Sequence, residues 1–303
     1  MNAIELLAKL HEGDRRALSR CISLIENDAP EASYILENLN INHHCKVIGI
    51  TGPPGAGKST LVNALLEHYT GTGHYPAIAV LAIDPTSPFT HGSLLGDRLR
   101  MNEHFENPDI FIRSLATRGA LGGLSAKTIE ISDLLKAAGF NCIIIETVGV
   151  GQSELEIAAL ADTTIVVFVP ESGDEIQTIK SGIMEIADIF AVNKADREGA
   201  GRLVKNLLTT LHDRPSSGWN VPVVQTIAST RSGIDELAKL IGDHLAQAAK
   251  NVHNKQLTYS RALRLVQNQL LKKIDLNKFR SDLESQIDTP GFNIYRFISA
   301  WLP

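Results

Sequence analysis

The stretch that most constrains this 303-residue chain runs from Val47 to Leu61 and reads V-I-G-I-T-G-P-P-G-A-G-K-S-T-L. Val47, Ile48 and Ile50 form a short apolar, β-branched run. From Leu61 the pattern L-V-x-A-L-L has helical spacing, so residues 52–60 lie between a buried strand and a helix N-terminus. That context suits a phosphate loop. Gly52, Gly55 and Gly57 let the backbone curl with its N–H groups inward, where they and the helix dipole hold a β-phosphate. Lys58 brings positive charge to the β- and γ-phosphates, and the Ser59 hydroxyl is placed for Mg²⁺. Pro53, Pro54, Ala56 and Thr60 complete the expected nucleotide-contacting set. A glycine-rich turn that binds nothing is the bland alternative, but the spacing G-x-x-x-x-G-K-S is matched in full.

The rest of the chain supplies a sheet for that loop. Apolar runs at 77–83, 110–113, 142–146, 164–169, 189–193 and 221–227 read as strands, with helical segments of crossover length between most of them. This alternation predicts an α/β fold, a mostly parallel P-loop NTPase sheet with helices on both faces. In such sheets the ligand sits beyond the carboxyl ends of the strands, where Asp84, Glu146, Pro170-Glu171 and Asn193 stand. Ahead of the sheet, apolar residues at helical spacing (Ile4, Leu7, Leu10; Leu18, Ile22, Ile25; Tyr34, Ile35, Leu39) predict three helices, divided at Gly13 and at Asp28-Ala29-Pro30. Behind it, helices are expected over 235–249 and 260–273. The second carries the stripe Leu263, Val266, Leu270 and Leu271, which suits a core or a subunit contact.

A net charge of −5 argues against a nucleic-acid partner, since neutralising a phosphate backbone needs a basic surface. The apolar runs are too short to span a membrane, and the N-terminus carries acidic residues where a targeting segment is basic, so neither a membrane nor a secretory role is expected. Three scattered cysteines, Cys21, Cys45 and Cys142, suit buried thiols in a reducing cytoplasm rather than a disulfide framework. His43-His44-Cys45 has no second ligand group at a recognisable spacing and reads as a strand lead-in, not a metal site.

Asn193-Lys194-Ala195-Asp196, directly after a strand, selects the nucleotide. Guanine offers N1–H and an exocyclic amine on one edge, and the Asp196 carboxylate can accept from both, whereas adenine lacks that pair. Asn193 is expected to bond neighbouring loops and the base, and the Lys194 stem to cover the base plane. Losing a donor pair would leave a buried carboxylate unsatisfied, so GTP is favoured over ATP. Glu146-Thr147-Val148-Gly149 closes another strand: Glu146 can hold Mg²⁺ through water and the Gly149 N–H can bond the γ-phosphate. Ras-type enzymes place a water-orienting Gln after that glycine; this chain has Val150, which predicts slow intrinsic hydrolysis, with Gln152 two positions further on. Asp84 at a strand end, and Asp97 in the loop beyond it, are placed for Mg²⁺ or its waters, while Arg98 and Arg100 read as solvated helix charges.

Five longer motifs add to these: Asp84-Pro85-Thr86-Ser87-Pro88-Phe89-Thr90, Leu95-Gly96-Asp97-Arg98, Arg118-Gly119-Ala120-Leu121-Gly122-Gly123-Leu124, Glu146 to Glu154, and Gly173-Asp174-Glu175-Ile176-Gln177-x-Ile179-Lys180. Together they resemble the MeaB/ArgK family, the methylmalonyl-CoA mutase-associated proteins of the SIMIBI class of P-loop GTPases, over roughly residues 10 to 245. The resemblance implies a G-protein chaperone that binds an adenosylcobalamin-dependent acyl-CoA mutase, gates cofactor delivery by GTP hydrolysis, and protects or reactivates the mutase. It makes Lys58 and Ser59 the phosphate and Mg²⁺ residues, and Asp84, Asp97 and Glu146 the carboxylates around the metal. Residues 170–182 become a third switch loop coupling nucleotide to partner, with Lys180 its central charge. It also implies a homodimer built through C-terminal helices. With the helical spacing ahead of the first strand, the expected division is an N-terminal helical extension at 1–42, a GTPase domain at 43–250 and a C-terminal dimerisation segment at 251–303. This chain departs from the family pattern in having Pro170-Glu171-Ser172-Gly173 where Pro-Gly-Ala-Gly is usual, and His91 in place of a glycine. Three other readings compete: a kinase acting on an amino-acid transport component, which lacks an evident acceptor-positioning base; a nickel-insertion GTPase, which would need a His-rich tract or Cys-x-x-Cys pair; and a nucleotide-dependent scaffold whose turnover is incidental, which Val150 leaves open because a slow hydrolase and a switch scaffold look alike in sequence.

Overall fold

The computed structural model describes residues 2–84, 104, 106–116, 126–147, 156–173, 182–212, 218–248, 253–289 and 291–301. Seven strands form one sheet: β1 (Lys46–Thr51), β2 (Ile78–Asp84), β3 (Ile110–Ala116), β4 (Cys142–Glu146), β5 (Thr163–Phe168), β6 (Ile189–Val192) and β7 (Val223–Gln225). They pair in the order β3-β2-β4-β1-β5-β6-β7, with every neighbouring pair parallel. β4, β5 and β6 are buried along their whole length, as continuous apolar runs require when helices cover both faces. The expected run at 110–113 extends to Ala116. The expected strand at 221–227 shrinks to Val223–Gln225, because Pro222 has no N–H for the ladder and Ile227 turns away to bridge Ser232.

The topology places the phosphate loop. The chain winds from β1 to β2 and β3 on one side, returns as β4 beside β1, and then winds the other way through β5, β6 and β7. The direction reverses around β1, so the loop after its carboxyl end occupies the crevice where open α/β sheets take their ligands. Helix α4 (Lys58–Thr72) starts three residues earlier than the apolar pattern announces, because Gly57, at φ +82°, is its N-cap and lets the loop run straight into the first turn. Gly73, at φ +64°, ends it.

The N-terminal segment forms α1 (Ala3–His11), α2 (Arg15–Glu26) and α3 (Pro30–Glu37). Asn2 and Glu5 make a capping box on α1, Asp14 caps α2, and Pro30 opens α3 at the one position where its missing N–H costs nothing. Leu6, Leu10, Leu18, Ile22, Ile25 and Ile35 are buried, each contributing roughly 1.5–3 kcal/mol of burial free energy. The bundle packs through α2 on α5 (Ala126–Ala137), which follows β3. Arg15 donates to the Pro108 carbonyl at 2.8 Å and stacks 4.4 Å from the Phe140 ring centroid. Glu26 pairs with Arg113 on β3, and Asp28 with Lys127 on α5.

Beyond β5 lie α6 (Ile183–Ile186), α7 (Ala200–His212) and α8 (Ile234–Ala248), the last packed on α4. His244 on α8 bonds Thr163 Oγ1 at 2.9 Å and Asp188 at 3.3 Å, fixing that helix to the amino ends of β5 and β6.

The chain divides into two compact units, Met1–Asn254 and Lys255–Pro303. The second holds most of α9 (His253–Lys272) with α10 (Leu276–Gln286) and α11 (Ile294–Ser299). Phe279 packs edge-on against Phe297 and Trp301 at 5.3 and 5.2 Å, beside a cavity of about 630 Å³ lined partly by Lys278, Asp282, Phe292 and Arg296. Tyr259, Leu263, Val266 and Leu270 recur at helical spacing on α9 and are exposed in the single chain. Among the described residues no helix is long and apolar enough to cross a membrane, and no three His, Cys, Asp or Glu side chains gather for a metal ion.

Candidate active site

The phosphate loop is tight at two glycines and open at a third. A Cβ on Gly52, at φ +141°, would lie 2.1 Å from the Val167 carbonyl oxygen, and one on Gly57 would lie 2.5 Å from Asn193 Nδ2. Gly55, at φ +77°, faces open space, so only its conformation calls for glycine. Inside the curl, the buried Lys58 ammonium donates to the carbonyls of Gly52 and Pro53 at 2.9 and 3.0 Å. Pro54, Gly55 and Thr60 are exposed around it.

β4 delivers the carboxylate. Its run C-I-I-I-E is buried throughout, which carries Glu146 to the strand end beside α4, where Ser59 Oγ donates to Glu146 Oε1 at 2.6 Å. Next to it, Thr147 Oγ1 donates to Thr51 Oγ1 at 2.8 Å and the Thr147 N–H to the Ile50 carbonyl at 3.0 Å, locking the ends of β1 and β4 together. A buried hydroxyl and carboxylate in contact at the first turn of a helix form a hard-oxygen pair of the kind Mg²⁺ takes, so the residues present fit that ion. Asp84 closes β2, with its Cα opposite Ala116 of β3.

The turn after β6 is built into the loop. Asn193 is buried; its Oδ1 accepts from the Ala228 N–H at 3.1 Å and from Thr226 Oγ1 at 3.3 Å, while its Nδ2 donates to the Ala56 carbonyl at 2.9 Å. Lys194, at φ +54°, donates from Nζ to the Gly55 carbonyl at 2.8 Å. The Ala195 N–H donates to Thr226 and the Arg197 N–H to Lys194, closing a turn on which Asp196 is exposed. Sequence reasoning missed the partner in this arrangement, the loop from Thr226 to Ser232 after β7. Its place at the carboxyl end of a strand was a signal, but its Ser and Thr content is that of an ordinary turn.

Pro170 to Gly173 form one 3₁₀ turn beyond β5, and Glu171 there makes an ion pair with Arg197. The structure thus brings Gly52 to Thr60, Glu146, Asn193, Lys194 and Asp196 to one edge of the sheet. Asp97, Gly149, Gln152 and Lys180 lie outside the described residues, as do His91, Arg98, Arg100 and Val150.

Comparison with known proteins matches residues 18–279 to the family described as methylmalonyl Co-A mutase-associated GTPase MeaB. A protein of Pyrococcus horikoshii is 47% identical over 245 residues, spanning 79% of this chain and 77% of its own. GTPase ArgK of Escherichia coli K12 is 37% identical over 250 residues, spanning 79% and 75%. Among solved structures, the crystal structure of a LAO/AO transport system kinase superposes with a TM-score of 0.70 at 25% identity, covering 99% of this chain and 96% of that one.

Proposed function

We infer the function from the family to which this chain belongs, the MeaB/ArgK family of methylmalonyl-CoA mutase-associated SIMIBI-class GTPases: it hydrolyses GTP in a chaperone role linked to the cofactor handling of an acyl-CoA mutase. GTP and GDP are the nucleotides of that family and Mg²⁺ their ion. In this reading the curl from Gly52 to Gly57 receives the phosphates on backbone N–H groups, and Lys58 turns its ammonium from the loop carbonyls to the β- and γ-oxygens. Ser59 and Glu146 would hold Mg²⁺, with Asp84 and Asp97 the further candidate carboxylates; when bound, the ion would supply charge neutralisation to the triphosphate. Gly149 senses the γ-phosphate, Gln152 is the candidate to orient water, and Asp196 reads the guanine edge from a turn stiffened by Asn193 and Lys194. Lys180 couples the third switch to the partner.

The partner in this reading is an adenosylcobalamin-dependent mutase of the methylmalonyl-CoA type, whose cofactor delivery and protection the nucleotide gates. The protein works as a cytoplasmic homodimer, and the exposed stripe of Tyr259, Leu263, Val266 and Leu270 on α9 supports a contact through the C-terminal segment 251–303. The observation that carries the reading is the buried contact of Ser59 with Glu146 beside a loop bonded directly to the base turn. The test is hydrolysis of GTP and ATP by the pure chain, with and without the methylmalonyl-CoA mutase. Selective GTP turnover, slow alone and raised several-fold by the mutase, is expected; turnover indifferent to the mutase would remove the partner while leaving the GTPase. The kinase reading draws on the similarity to the LAO/AO transport system kinase structure. It requires phosphate from GTP or ATP to appear on a purified transport protein, in a reaction abolished by Lys58→Ala.

A further inference from the structure

We propose that Glu171 is a specificity-supporting residue of the guanine site: it engages Arg197 and so keeps that guanidinium from neutralising Asp196, the carboxylate that reads the base. The inference rests on the assignment of Asp196 given above and adds a residue outside the Asn-Lys-x-Asp turn.

Arg197 immediately follows Asp196, and its own N–H closes the turn on the Lys194 carbonyl at 3.0 Å, so both side chains leave the same short piece of backbone. A carboxylate meant to accept from two neutral donors on guanine is in danger from an adjacent guanidinium, which offers five donors and a full charge. The structure gives Arg197 another partner. β5 and β6 are neighbours in the sheet, so their carboxyl ends set the Pro170–Gly173 turn beside the Asn193 turn, and Arg197 Nη1 meets Glu171 Oε1 there. The two segments are neighbours at this point, since a Cβ on Gly199 would reach van der Waals contact with Pro170 Cβ at 3.8 Å. Glu171 responds to the same charges: its carboxyl is held below the ordinary carboxylate range chiefly by the Arg197 hydrogen bond, with backbone bonding next and the fields of Arg197 and Lys194 following. The Lys194 ammonium is meanwhile occupied at the Gly55 carbonyl, so the two cations flanking Asp196 each have a partner other than Asp196.

Both Glu171 and Arg197 are about half exposed, so solvent screens the pair and the effect is moderate. The experiment compares GDP and ADP affinities, measured by competition against a fluorescent guanine nucleotide, for wild type and for Glu171→Gln, Arg197→Gln, the double variant, and Asp196→Asn. Glu171→Gln is expected to weaken GDP binding about two- to fivefold, the range of an exposed ion pair, with ADP unchanged. Arg197→Gln should match wild type, and the double variant should recover wild-type affinity, because no guanidinium remains to compete. Glu171→Asp, which keeps the charge, should retain most of the affinity. The Glu171→Gln defect should shrink as salt rises. Wild-type affinity in Glu171→Gln, equal loss of GDP and ADP, or a double variant as weak as Glu171→Gln would each overturn the proposal. Asp196→Asn separates the layers: if it leaves the GDP-to-ADP ratio intact, the assignment of Asp196 itself has failed.

Discussion

Gly57→Ala and Gly55→Ala form a matched pair that asks whether the phosphate loop and the base turn are mechanically one piece. Both glycines sit at positive φ, +82° and +77°, where an alanine costs about 1–2 kcal/mol through its Cβ, partly offset by a gain from the stiffer unfolded chain. They differ in what that Cβ meets. At Gly55 there is open space; at Gly57 the new methyl lies 2.5 Å from Asn193 Nδ2. That amide cannot step aside freely, because Asn193 is buried and bonded to Ala56, Thr226 and Ala228. Displacing it forfeits the bond to the Ala56 carbonyl and leaves buried groups unpaired, about 1–3 kcal/mol more. Gly57→Ala is therefore expected to cost about 2–5 kcal/mol, and Gly55→Ala no more than about 1–2. For a unit of this size that is a fall in melting temperature of roughly 5–15 °C against a few degrees. The assay is thermal unfolding of both variants without nucleotide, followed by GDP and ADP affinity at 20 °C. Gly57→Ala should also lose guanine discrimination, since Asn193 carries the turn that presents Asp196, while Gly55→Ala keeps it. Equal melting temperatures, or unchanged discrimination in Gly57→Ala, would refute the idea that Asn193 joins the two loops.

Two further perturbations probe the metal side and the interior. Ser59→Ala and Glu146→Gln each remove a partner from the buried hydroxyl–carboxylate contact, so the Mg²⁺ concentration giving half-maximal GTP turnover should rise about 10–100-fold; an unchanged Mg²⁺ dependence would discard both residues as the metal pair. The thiols give a pH prediction. Burial pushes Cys21 up to about 11 and Cys45 up to about 12, and raises Cys142 as well, from an ordinary 9.0. The unfolded chain then releases its thiol protons first, so the stability these groups contribute is complete below pH 9 and is lost as pH rises from about 9 toward 12. Native protein at pH 8 should react with a thiol reagent only at the rate of unfolding, and fast labelling of any cysteine would count against the packing.

The parts legible in the sequence were those whose meaning is local. Gly52 to Ser59 declared itself by spacing, and the strand ending at Glu146 by an unbroken apolar run. Gly13 and the Asp28-Ala29-Pro30 turn divided the first helices correctly, because a cap or a proline acts on its own neighbours. What stayed hidden depends on pairs far apart in the chain. Nothing near Glu26 announces Arg113, and nothing near Thr226 announces Asn193; these meet only after the strand order is set. Lys194 shows the same limit. Its type suggested a stem over the base, whereas its ammonium also has the Gly55 carbonyl within reach, a fact that belongs to the adjacency of β1, β5 and β6.

That adjacency has a consequence for how the site can respond to its ligand. The carbonyls of Gly55 and Ala56, in the loop proposed to take the phosphates, are the acceptors for Lys194 and Asn193. Under the proposed assignment, a shift of the phosphate loop on phosphate binding would reach the base turn through these two hydrogen bonds, one of them buried. On the other flank the carboxylate of Glu146 is tied to Ser59, in the first turn of the helix that the same loop opens. In the proposed assignment, base recognition and metal binding thus hang from opposite ends of one short backbone curl. For a guanine nucleotide to be told from its adenine counterpart, both ends must be in place together. Selectivity should consequently be strongest for the Mg²⁺-bound triphosphate and weaker for the bare nucleoside, even though Asp196 would make the same contact to the base in both.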